Sequence, residues 1–158
     1  MIKPVTDNDI DSCVQLIRKA FADIAEKFSI TPENCPSNPA FITADKLFDI
    51  SKNGGEMFVY VYDGTPVGFM AILPKGKGIF EFEKLCVLPE FRHCGIGSKL
   101  IEHGRKVAVS YAGKKIEIGI IDENTVLKNW YRKNGFVFKK TKLFKQLPFT
   151  VGLMEMYL

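Results

Sequence analysis

Apolar side chains recur every three or four residues through Ile10, Cys13, Val14, Leu16, Ile17, Ala20 and Phe21, the spacing that lines one face of a helix. Asp7 or Asn8 just ahead of them is a cap candidate, and Ile2 to Val5 reads as a short strand before it. A breaker-dense stretch from Thr31 to Pro39 follows. Phe41, Ala44, Leu47, Phe48 and Ile50 then predict a second helix that stops at Asn53-Gly54-Gly55. Met57 to Tyr62 and Pro66 to Leu73 are rich in strand formers on either side of Asp63-Gly64, a hairpin signal. The turn Lys75 to Gly78 leads into a strand from Ile79 to Val87. A helix from Ile96 to about Ser110 is expected to bury Ile96, Leu100, Ile101, Val107 and Ala108, and Tyr111-Ala112-Gly113 ends it. Ile116 to Ile121 reads as a strand, Thr125 to Lys133 as a short helix, and Phe136 to Phe138 and Phe149 to Tyr157 as two last strands. The order β-α-α-β-β-β-α-β-α-β-β by itself supports a three-layer α/β or α+β fold.

The 158 residues fit one domain, residues 1–158, with thirteen phenylalanines to fill its core. The first residues, Met1 to Asp7, contain no apolar leader core, and the longest apolar run, Gly68 to Leu73, is too short to span a bilayer. A cytoplasmic protein without membrane association is therefore expected. Cys13, Cys35, Cys86 and Cys94 form no C-x-x-C pair, so neither a disulfide framework nor a metal site is expected. The net charge is only +4. Lys139, Lys140, Lys142 and Lys145 cluster near the end, where they read as a solvated strand face and turn rather than a nucleic-acid patch.

The chemistry concentrates in Leu85 to Leu100, where an apolar strand is stopped by Pro89 and followed by Arg92-His93-Cys94-Gly95-Ile96-Gly97-Ser98 at the start of a helix. The first turn of a helix carries unpaired N–H groups and the positive end of the macrodipole, a ready anion site. A dinucleotide fingerprint would need glycine at Leu100, and a Walker loop would need Gly-Lys-Ser or Gly-Lys-Thr in place of Gly97-Ser98-Lys99. Arg92 to Gly97 instead fit Arg/Gln-x-x-Gly-x-Gly/Ala, and here the chain resembles the GNAT superfamily of acetyl-CoA-dependent N-acetyltransferases. Asn124 to Phe136 resembles a second family segment, Asn-x-x-Ala-x-x-Leu-Tyr-x-Lys-x-Gly-Phe, with departures at Leu127 and Trp130.

The resemblance spans essentially the whole chain and implies a mixed, largely antiparallel seven-stranded sheet with helices on both faces. It implies acetyl-CoA as co-substrate, held by the loop Arg92, His93, Cys94, Gly95, Ile96, Gly97 and Ser98. The amides of His93, Gly95, Gly97 and Ser98 would meet its pyrophosphate. Leu85, Cys86 and Val87 are implied to pair with the pantetheine arm, and an amide there to hold the thioester oxygen. Tyr131 matches the family tyrosine that protonates the leaving thiolate, although a tyrosine on a short helix is otherwise an amphipathic core residue. Asn124 matches a residue that holds pantetheine, and equally suits a helix cap.

Glu81 and Glu83 alternate onto one face of the strand leading into the loop. Either suits a general base for an amine that is mostly charged at neutral pH, with Glu81 at the position some family members use; a water chain is the third option. His93 and His103 do not read as catalytic, and adjacent His93 and Cys94 lack an orienting group for covalent chemistry. The function implied is acetyl transfer to a primary amine by direct attack in a ternary complex, the rival being a non-catalytic acyl-CoA-binding module of the same fold. The acceptor, a small molecule or peptide amine, is left open between walls at the first inter-helix loop, Lys75 to Gly78, and Gln146 to Phe149. A homodimer is a family habit that the sequence does not address.

Overall fold

In the computed structural model, which describes residues 1–158, the apolar stripe from Ile10 to Ala20 lies on helix α1 (Ile10–Lys27) and is buried apart from the charged positions between. The turn before it is capped by Thr6, not by Asp7 or Asn8. A 3-10 turn occupies Asp7–Asp9, and the Thr6 amide and hydroxyl donate to the Asp9 carboxylate at 2.8 and 2.9 Å. Helix α2 (Ala44–Lys52) starts later than its apolar spacing suggests. Asn38 caps a separate 3-10 turn at Pro39–Phe41, and Ile42 and Thr43 are extended, which breaks the helix between Phe41 and Ala44.

The strands are β1 (Ile2–Pro4), β2 (Glu56–Tyr62), β3 (Thr65–Gly76), β4 (Ile79–Val87), β5 (Lys115–Ile121), β6 (Val137–Lys142) and β7 (Val151–Tyr157), with helices α3 (Ile96–Ser110) and α4 (Thr125–Lys133) between them. They form one seven-stranded sheet in the order β1-β2-β3-β4-β5-β7-β6, antiparallel throughout except for β4 beside β5. Strand β6 is longer than its apolar start implies. The lysines after Phe138 continue it as a fully exposed edge, where polar backbone groups face water and lysines block further pairing.

Helices pack on both faces. A side chain at Gly104 of α3 would meet Phe82 and Met70 within 2.8 Å, so glycine lets this helix lie close to β3 and β4. Gly104, not the half-buried Val107, fills the seam. On the other face Ile50 of α2 and Leu73 close around Gly55. One core of buried residues runs through both layers. A smaller one joins Ala25, Ile30 and Cys35 with Phe28, Phe41, Ile121, Leu147 and Phe149, so the α1–α2 connection rests on the β6–β7 connection at the end of β5. No helix is long and apolar enough to cross a membrane.

Candidate active site

The parallel contact between β4 and β5 is short: only Ile79, Phe80 and Glu81 pair with Lys115, Ile116 and Glu117. Beyond Glu81 the two strands part, and β4 keeps β3 on one side with no strand on the other. An extended, amide-bearing ligand fits such a gap because both strands there still carry backbone donors and acceptors. Leu85, Cys86 and Val87 border it.

Past Val87 the chain turns through Pro89–Phe91 into the loop. His93 (φ 62°) and Gly95 (φ 80°) are both left-handed, and Gly95 is the N-cap of α3. No acceptor inside the chain takes the amides from His93 to Ser98; the first helical bond is Lys99 N–H to Gly95 O, 3.1 Å. Left-handed residues next to a helix start turn successive N–H groups toward one concavity, which suits an anion with several oxygens. Cys94 is exposed, with its thiol toward Arg92 O at 3.4 Å. Arg92 points elsewhere. Its guanidinium is taken by Val87 O, Ala20 O and the Asp23 carboxylate, so its side chain braces the loop rather than facing the anion site.

Glu81 and Glu83 share one face of β4, opposite Leu73 and Ala71 of β3. A bulge follows: β4 has one more residue than β3 between the pairs Ala71–Glu83 and Phe69–Cys86, with Lys84 left-handed at φ 55°. The bulge carries Cys86 onto the same face as the glutamates. Burial, and then a hydrogen bond shared with Glu83, push the Glu81 carboxyl up to about 7 against the opposing Lys75, whose Nζ is 3.6 Å away. Burial also works to raise Glu83, but Lys84 at 3.0 Å, together with the hydrogen bond from Glu81 and the charge of Lys75, holds that carboxyl below its usual range. Glu81 thus loses its proton only around neutrality, so above that pH it is a free carboxylate basic enough to take a proton, as a general base must. Glu83 and Lys84 also line a cleft of about 460 Å³ with Lys46 and Asp49 of α2, Asn53 just past its end, and Lys75 of β3.

Tyr131 is the one buried residue of α4, with its ring edge-on to Trp130 (4.9 Å) and Phe136 (5.4 Å). Burial, with a smaller contribution from Cys86, pushes its phenol well above the ordinary value, so it keeps its proton at neutral pH and has one to give. Burial likewise pushes the Cys86 thiol up to about 12, which leaves no thiolate for nucleophilic chemistry. Asn124 does cap α4: its Oδ1 accepts from Leu127 N–H at 3.2 Å, while its Nδ2 donors are uncommitted. Lys75, Lys84 and Asp23 carry no signal of these roles in the sequence, since each depends on a partner brought in by the fold.

Residues 53–138 match the family model described as Acetyltransferase (GNAT) domain. An uncharacterized N-acetyltransferase in the pepI 3′ region of Lactobacillus delbrueckii subsp. lactis is 23% identical over 145 residues, 85% of this chain and 82% of that protein. The fold superposes on PaiA N-acetyltransferase from Thermoplasma acidophilum, solved in complex with coenzyme A, with a TM-score of 0.83, 18% identity and coverage of 100% and 98%. It also matches the ribosomal-protein-S18-alanine N-acetyltransferase of Escherichia coli, with a TM-score of 0.78, 12% identity and coverage of 99% and 92%.

Proposed function

The chain belongs to the GNAT acetyltransferases, and on that premise we propose that it transfers the acetyl group of acetyl-CoA to a primary amine by direct attack in a ternary complex. The observation that carries this reading is the run of uncommitted amides from His93 to Ser98 beside the opened β4–β5 seam. The loop takes the pyrophosphate, with contacts from the amides of His93, Gly95, Gly97 and Ser98. The pantetheine arm lies in the seam along Leu85, Cys86 and Val87, and Asn124 gives it a side-chain amide.

Glu81 takes the proton that the acceptor ammonium must lose, and Glu83 tunes it. The neutral amine attacks the thioester carbonyl, a β4 amide stabilises the oxyanion, the C–S bond breaks, and Tyr131 gives its proton to the departing thiolate. A small-molecule or peptide amine reaches this point between the α1–α2 connection and the β6–β7 connection. The free thiols suit a reducing cytoplasm.

Calorimetric titration with acetyl-CoA, with dephospho-CoA and NAD as controls, tests the reading. Selective micromolar binding followed by amine-dependent release of free thiol is expected. Binding without turnover of any amine would favour an acyl-CoA-binding module, and no binding at millimolar ligand would overturn the assignment.

A further inference from the structure

Arg92 opens the loop assigned above to the coenzyme, yet its guanidinium faces away from the free amides. Nε donates to Val87 O at 3.0 Å, Nη1 to Asp23 Oδ2 at 2.5 Å, and Nη2 to Ala20 O at 2.6 Å and Asp23 Oδ1 at 3.2 Å. One side chain thereby ties the end of β4 to two successive turns of α1. The hydrogen bonds from Arg92, with its charge behind them, hold the Asp23 carboxyl below the usual carboxylate range, the mark of a committed partner. A second, exposed strap runs alongside, from Lys19 of α1 to Glu90 at 3.4 Å. Immediately after Arg92 the backbone turns left-handed at His93, a conformation that a non-glycine residue keeps only when its surroundings fix it.

The geometry points to Asp23 as a positioning residue for coenzyme binding: through Arg92 it fixes the loop so that the amides from His93 to Ser98 are already aimed when acetyl-CoA arrives. This rests on the coenzyme reading above. It makes a prediction of sign. An arginine held in reserve for phosphate would be released by loss of Asp23 and would tighten binding, whereas a bracket that is lost loosens the loop and weakens it.

The test is calorimetric titration of acetyl-CoA into wild type, Asp23→Ala, Asp23→Asn and Asp23→Glu over a range of salt concentrations, with melting temperatures as the control for folding. Asp23→Ala should raise Kd about tenfold, the scale of one charge-assisted hydrogen bond. Asp23→Asn, which keeps the shape and one acceptor, should fall between, and Asp23→Glu should recover most of the loss. The salt dependence of binding should match wild type, because Arg92 contributes no phosphate contact, and kcat at saturating acetyl-CoA should change less than Kd. Wild-type affinity or tighter binding in a folded Asp23→Ala protein, or a steeper salt dependence than wild type, would overturn the bracket while leaving the coenzyme reading intact. A wild type that takes up no acetyl-CoA would overturn the coenzyme reading itself and the bracket with it.

Discussion

The indole of Trp130 occupies the space that a side chain at Gly97 would need: a Cβ built there stands 2.8 Å from Cζ2 and 3.0 Å from Cη2. Trp130 is one of the two departures of this chain from the second GNAT segment, and its large ring thus packs α4 onto the first turn of α3. Gly97→Ala should therefore cost about 1–3 kcal/mol, as overpacking does. Trp130→Leu should return much of that in the double variant. Urea unfolding of the four proteins in the cycle checks this, and strict additivity would contradict the contact.

With Glu81 as the proposed general base, its carboxyl, pushed up to about 7, should set the acid limb of the reaction. kcat/KM should fall roughly tenfold per pH unit below about 7 and level off above it. Glu81→Gln should lower the rate and remove that limb. Glu83→Gln removes the partner that favours the protonated form of Glu81, so the limb should move to lower pH. A limb that stays in place in both variants would transfer the base role elsewhere.

The same shift has a consequence for stability. The folded-state value lies above the ordinary 4.5, so the stability this group contributes is present below about 4.5 and is lost as pH rises through about 7. The melting temperature of Glu81→Gln relative to wild type should therefore improve between pH 5 and pH 8. A constant difference across that window would exclude the perturbed carboxyl.

Tyr131→Phe should reduce kcat about 100-fold or more while leaving acetyl-CoA affinity within a few-fold, because the ring's packing against Trp130 and Phe136 survives and only the proton is lost. Since the phenol titrates far above neutrality, the wild-type profile should show no loss of activity from it below pH 9. Stopped-time thiol release across pH measures both.

Asn124 caps α4, and substitution can separate that duty from the contact with the pantetheine arm proposed for it. Asn124→Ala removes the cap and should cost about 1 kcal/mol, whereas Asn124→Ser keeps an acceptor for Leu127 N–H and should cost less. Both lose the uncommitted Nδ2 donors, so both should weaken acetyl-CoA binding to a similar degree. Recovery of binding by serine would reduce Asn124 to a cap alone.

Much of this was legible in the sequence because it is local. The apolar stripe of α1, the hairpin at Asp63-Gly64 and the loop around Gly95 each carry their signal within a few residues, and the glutamates fall on one face through strand alternation alone. What lay hidden depends on distance along the chain. Asp23 meets Arg92 only because α1 crosses the end of β4, and nothing in a helix face of mixed charge marks its partner. The bulge at Lys84 is similar. It is the register with β3 that requires an extra residue, and a lysine is not a residue that advertises a left-handed turn.

Three residue pairs, Ile79 to Glu81 against Lys115 to Glu117, and the Gly78 carbonyl that accepts from the Lys114 and Lys115 amides make a short backbone join between the β1–β4 leaf and the β5–β7–β6 leaf of the sheet. The second leaf has its own clasp, the buried Glu155 held by Lys115 at 3.0 Å and by Tyr157. Each leaf is thus knitted within itself, and where the backbone join stops the two are held by the apolar core that runs under both. A ligand laid along the seam would act as the missing stitch, adding backbone bonds to a junction that otherwise rests on side-chain packing.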